Sequence, residues 1–98
     1  DNIGGFFMKI LAVCGSGLGS SFMLEMNIKK VLTQLGVDAE VDHTDLASAT
    51  EGSADIFIMS SDLANSTSLK NVVSLNSIIN LAELKEKLEE VLKAKGVL

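Results

Sequence analysis

Short apolar runs punctuate this chain, and each gives way to a polar or helix-periodic stretch. Residues 8–13 are almost uninterrupted hydrophobic sequence, as in a central parallel strand covered on both faces. From Gly19 or Ser20 to about Leu35 the period lengthens to that of a helix. Leu24, Ile28, Val31 and Leu35 form one stripe, and Gly36 is the stop signal. Phe22, Met23 and Met26 near its start read as core and shoulder packing. Val37, Ala39 and Val41 then alternate with Asp38, Glu40 and Asp42, which predicts an edge strand with one wet face. Residues 44–51 are polar, with room for one helical turn. Residues 54–59 predict a third strand, 61–69 a short helix begun by a serine cap, and 71–75 a fourth strand. Asn80-Leu81-Ala82-Glu83 has the form of a capping box. Leu81, Leu84, Leu88, Val91 and Leu92 line the helix behind it, and Gly96 ends it.

Strands alternating with helices at such short intervals imply parallel pairing. The expected fold is a small three-layer α/β/α sandwich with an approximately four-stranded parallel sheet. Ligands of such sheets gather outside the carboxyl ends of the strands, where the strand order reverses. The segments after Val13, Asp42, Met59 and Leu75 are therefore expected at one end of the molecule.

Composition narrows the function. Ninety-eight residues, 47% hydrophobic, suffice for one core. Residues 1–7 (Asp-Asn-Ile-Gly-Gly-Phe-Phe) precede a methionine that opens a clean strand. They read as a cloning remnant, with a native extension as the other reading, and leave 8–98 as a single domain. No apolar run approaches the roughly 20 residues that span a bilayer, and no basic-then-apolar leader is present, so a cytoplasmic location is expected. A lone cysteine suits a reducing compartment. A net charge of −5 with 4% aromatic residues argues against nucleic acid. Every basic residue is lysine; there is no arginine.

The chemistry concentrates at Cys14-Gly15-Ser16-Gly17-Leu18-Gly19-Ser20-Ser21, directly after the first strand. Three glycines in five residues can turn several backbone N–H groups inward, and a helix N-terminus adds more, together with the positive end of its dipole. Such a loop suits a phosphate, and the same field favours a cysteine acting as a thiolate nucleophile. A dinucleotide turn would need a third glycine where Ser20 stands. A Walker loop would need lysine after Gly19. A cysteine-dependent phosphatase has this strand, cysteine, cradle and helix, but ends its loop in an arginine at the position of Ser20. Loss of an arginine clamp costs roughly three to five orders of magnitude in phosphoryl transfer. A redox thiol domain would ordinarily need a resolving cysteine. A carrier, whose neutral donors hold a phosphoryl group without driving its hydrolysis, fits these residues best; a non-catalytic or redox-sensing thiol domain of the same fold is the alternative.

At these residues the chain resembles the IIB component of a bacterial sugar phosphotransferase system. The C-G-x-G-x-G-S-S form is most similar to the ascorbate-type IIB family; the galactitol type, with a less glycine-rich loop, is the alternative. The likeness extends over residues 8–98 in length and element order, and only the loop is specific. It implies a fold like low-molecular-weight phosphotyrosine phosphatase and a relay. A IIA protein phosphorylated on histidine donates to Cys14, which then phosphorylates a sugar held in the membrane IIC transporter. On that reading Cys14 is the phosphoryl acceptor. The backbone of Gly15, Ser16, Gly17, Leu18, Gly19, Ser20 and Ser21 is the cradle, with hydroxyls of Ser16, Ser20 and Ser21 as added donors. Leu18, Phe22 and Met23 are candidate apolar contacts for the partners. His43, the one histidine, is expected to be a solvated residue closing the edge strand. Ser60-Ser61-Asp62 is expected either to line the site or to cap a helix. The carboxylates look too scattered for a metal centre, and no cofactor is implied.

Overall fold

The computed structural model describes residues 8–15 and 18–98, with the side chains of Leu18 and Gly19 excepted. The expectations for residues 1–7, for Ser16 and Gly17, and for the Leu18 side chain lie outside the described residues. Four strands, β1 (Lys9–Cys14), β2 (Glu40–Asp45), β3 (Ile56–Ser60) and β4 (Val72–Leu75), form one all-parallel sheet in the order β2-β1-β3-β4. Helix α1 (Leu18–Leu35) links β1 to β2, α2 (Ser61–Ser66) links β3 to β4, and α3 (Leu81–Ala94) closes the described chain.

Two cores flank the sheet because successive residues of a strand point to opposite faces. Ile10, Ala12, Ile56, Ile58, Val73 and Leu75 meet Leu24, Ile28 and Val31 of α1 and Leu84, Leu88 and Leu92 of α3. Leu11, Val13, Phe57 and Met59 face the other way, toward Leu46, Leu63, Ala64 and Leu69 around α2. The result is the three-layer sandwich with a four-stranded parallel sheet that the periodicity predicts. Its two central strands are the two apolar runs, buried at every inner position.

Both helix stops fall where glycine predicts them. Gly36 at φ +72° lets Val37 N–H reach the Leu32 carbonyl at 3.0 Å, and Gly96 at φ +80° does the same for Val97 and Leu92 at 2.9 Å.

Several boundaries move. The edge strand is not 37–42 but Glu40–Asp45. Val37 is spent on closing α1, and pairing with β1 runs on through Cys14↔Asp45. A polar stretch thus becomes a strand because its partner lies beside it. Asp45, not Asp42, then ends the strand, and its carboxylate accepts the Ser48 N–H at 2.8 Å to cap the single turn Leu46–Ser48. Asn71 sits at φ +57°, a conformation asparagine tolerates, so β4 begins one residue later than expected. The short helix ends at Ser66 rather than residue 69; its cap residue is Ser60, whose hydroxyl makes no capping bond. Asn80 caps α3 by accepting the Glu83 N–H at 3.0 Å, but Glu83 does not return the bond. Its two oxygens accept the N–H groups of Asn76 at 2.7 Å and Ser77 at 3.1 Å instead. Leu81, placed in the α3 stripe by spacing, is exposed.

Candidate functional site

Strand order reverses between β1 and β3: the chain leaves β1 toward β2 on one side and β3 toward β4 on the other. The segments that leave the carboxyl ends of these neighbours therefore diverge, α1 to one face of the sheet and α2 to the other. A cleft of about 300 Å³ opens there. Val13, Cys14 and Gly15 line it from β1, Ser20 and Leu24 from α1, Ser60, Asp62 and Leu63 from the start of α2, and Ile78 from the segment after β4. Of the residues singled out from sequence, Cys14, Gly15, Ser20, Ser60 and Asp62 are brought together. Leu24, Leu63 and Ile78, which sequence reasoning missed as site residues, form its apolar wall. Larger depressions of about 520–530 Å³ lie on the solvent faces of α3 and α1, among lysines, glutamates, Met26, Thr33 and Gln34; Cys14 lines neither.

The Cys14 thiol is free and half-buried. Ser20 is exposed at the cleft and Ser21 is buried. The first turn of α1 carries no acidic residue, so nothing on that turn neutralises the positive end of the helix. Gly15 departs from expectation. It does not take a left-handed angle; its smallness is what the fold uses, since a β-carbon there would lie 3.2 Å from Leu63 Cδ2.

Two further expectations change. Phe22, Met23 and Met26 do not pack into the core; they are 52%, 50% and 50% exposed, on the face of α1 turned to solvent. Cys14 lies on a central strand, with His43 on the edge strand beside it. His43 is not a merely solvated residue. Its Nδ1 is hydrogen-bonded to the Glu25 carboxylate of α1, and its ring stands edge-to-face with Phe22 at 5.7 Å and 78°.

Glu25, only 7% exposed, also receives Lys29 Nζ at 2.9 Å. Burial alone would raise the Glu25 carboxyl. The hydrogen bonds and charges of Lys29 and His43 outweigh it and hold the carboxyl below its ordinary range. Asp42 Oδ1 lies 3.8 Å from His43 Nδ1 and accepts the His43 N–H at 2.8 Å. One ligand atom each from Glu25, Asp42 and His43 fall within 4.8 Å of one another, so the carboxylates are less scattered than the sequence suggests. The Lys29 ammonium already supplies the cation that this buried carboxylate needs. The signal for the cluster was present: Glu25 stands in the Ser21-Leu24-Ile28 stripe, and His43 keeps the phase of buried Val41.

Among the described residues no helix is long and apolar enough to cross a membrane. The family model described as the lactose/cellobiose-specific IIB subunit of the phosphotransferase system matches residues 9–94. Proteins named "Ascorbate-specific PTS system EIIB component" from Shigella boydii serotype 4 and Escherichia coli O6:H1 are each 38% identical over 93 residues. These spans cover 89% of this chain and 91% of theirs. The Salmonella typhimurium protein of that name is 37% identical over 92 residues.

Proposed function

Since the chain belongs to the IIB family of sugar phosphotransferase systems, whose members are phosphotransferases, we propose that it carries a phosphoryl group on Cys14. The observation that carries this reading is the position of that thiol. Cys14 ends a central strand, opens onto the cleft at the switch point, and is followed within a few residues by α1, whose first turn holds no competing carboxylate.

The donor is a IIA protein phosphorylated on histidine. The Cys14 thiolate attacks phosphorus, the S–P bond forms as the P–N bond breaks, and the released imidazole takes up a proton. In the second transfer a sugar hydroxyl in the membrane IIC component attacks the same phosphorus. The hydroxyl gives its proton to water as the O–P bond forms, the S–P bond breaks, and the thiolate returns. Backbone N–H groups of Gly15, Ser16, Gly17, Leu18, Gly19, Ser20 and Ser21, with the serine hydroxyls, hold the group between transfers. The absence of arginine suits a carrier, because no guanidinium clamp stabilises the charge that would develop as water attacks the held phosphoryl group. The chain works on the cytoplasmic side, where its donor is. Ascorbate is the proposed sugar, following the relatives that match along nearly the whole chain; the choice of sugar resides in IIC.

Intact-mass measurement after incubation with an ascorbate-type phosphorylated IIA protein tests the relay. The wild type gains one phosphoryl mass and transfers it to ascorbate when ascorbate-type IIC membranes are added. Cys14→Ser gains none and melts at the wild-type temperature. A phosphorylated Cys14→Ser variant overturns the assignment of the nucleophile, and transfer only with galactitol-type membranes overturns the sugar.

A further inference from the structure

The Glu25–His43 pair is built into α1 and β2 and is not needed for the transfer described above. Glu25 is the only acidic residue of α1, its side chain is 9% exposed, and it is held from one side by Lys29 and from the other by His43. The His43 ring in turn supports Phe22, edge-to-face, while Phe22 keeps half its surface in solvent beside half-exposed Met23 and Met26. A buried ion-paired carboxylate thus ends, through one imidazole, in an exposed aromatic ring. That ring stands on the helix whose start adjoins the Cys14 cleft.

We propose that Glu25 and His43 are positioning residues that hold Phe22, with Met23 and Met26 beside it, as the docking face for the protein that phosphorylates Cys14. This rests on the reading of Cys14 as the acceptor. Two observations identify the occupant. A protein donor must bring its phosphorus within about 3–3.5 Å of the thiol, so it covers the rim that α1 begins. The solvent face of α1 passes from Phe22, Met23 and Met26 to Lys29 and Lys30, with no exposed acid, in a chain whose net charge is −5. The matching surface is an apolar seat with an acidic margin on a phosphohistidine protein. Asp42, also beside His43, is tied to the His43 N–H and leaves the Nδ1 contact to Glu25.

The test is the rate of phosphorylation of the full chain against the concentration of phosphorylated IIA. His43→Ala raises KM by about tenfold, as expected for losing the support of an aromatic anchor, with kcat within about twofold. His43→Asn, whose amide N–H takes the place of Nδ1–H but which has no ring to set against Phe22, recovers little of that loss. Lys30→Glu raises KM more at low salt than at high salt. Independently of any phosphoryl transfer, His43→Ala and His43→Asn both broaden or shift the Phe22 ring and Met23 methyl NMR signals of the free protein; unchanged signals overturn the positioning role. Should His43→Ala fail to fold, Phe22→Ala carries the kinetic test and must show the same rise in KM. A fall in kcat at constant KM overturns the proposal by giving His43 a chemical role. Unchanged KM in a chain that does accept phosphate overturns it alone. A wild-type chain that accepts none from this donor overturns both this and the relay.

Discussion

Helices α1 and α3 lie on the same face of the sheet and both start at its carboxyl end, yet their first turns are furnished in opposite ways. At α3, Asn80 takes the Glu83 N–H, and the Glu83 carboxylate takes the two N–H groups of Asn76 and Ser77 and the ammonium of Lys87 at 3.0 Å. The start of that helix is satisfied from within. At α1 the first turn holds no acid, and a cysteine with a cleft precedes it. A helix start that carries its own anion serves stability; one that lacks it is left to receive an anion from outside. The same backbone physics builds a structural joint in one place and a candidate phosphoryl site in the other.

That contrast can be broken by making α1 resemble α3. Ser20→Asp places a carboxylate at the exposed cleft side of the first turn. Two like charges about 4–6 Å apart at an effective dielectric near 20 repel by roughly 3–4 kcal/mol, so phosphoryl acceptance falls by about two to three orders of magnitude. The fold keeps or gains stability, because an acid suits a helix start. Acceptance measured by intact mass and melting followed by circular dichroism read the two effects separately; retained acceptance would detach the α1 terminus from the chemistry.

Weakening α3 tests the opposite end of the comparison. Asn80→Ala removes the side-chain cap and costs about 1 kcal/mol, which lowers Tm by roughly 4–8 °C in a domain of this size. Phosphoryl acceptance at 25 °C stays at the wild-type level. Loss of acceptance without loss of stability would show that the α3 start belongs to the site.

The smallest effect concerns pH. The Asn76 N–H chiefly, then Lys87, and with them the Ser77 N–H and the Lys87 charge, hold the Glu83 carboxyl below its ordinary value of 4.5 despite some desolvation. For a carboxyl depressed in the folded state, the stabilisation is complete above the unfolded value and disappears as pH falls through the folded one. Tm should therefore be flat above about pH 5 and decline below 4.5, with a shallower decline in Glu83→Gln. Equal acid sensitivity in the variant would remove Glu83 from the joint.

Much of this was legible along the chain. The two central strands are legible because a strand covered on both faces needs apolar residues at its inner positions, and 10–13 and 56–59 supply them. Gly36 and Gly96 mark helix ends because left-handed backbone is cheapest for glycine. Less legible was β2. Its residues Glu40–Asp45 carry little apolar signal, and main-chain pairing with β1 rather than side-chain preference makes them a strand. Phe22 and Met23 could be read two ways, as packing by their hydrophobic type or as exposed contacts beside the loop; their angular position on α1, outside the Leu24-Ile28-Val31 stripe, leaves them exposed.

By itself the sequence determined the alternating α/β order, the all-parallel sheet, and a lone cysteine poised between a strand and a helix rich in glycine at its start. These are local properties, set by periodicity, by backbone freedom and by residues within a few positions of one another. Only the tertiary structure decided that Ser60, Asp62, Leu63 and Ile78 share a cleft with Cys14, that Glu83 leaves its own cap to bind Asn76 and Ser77, and that Glu25 meets His43 beneath Phe22. The cleft and the Glu25–His43 pair join residues 18 or more positions apart in the chain, and even the short-range choice at Glu83 depends on how the segment after β4 folds back. Where a polar side chain finds its partner depends on which elements the apolar core has already brought together.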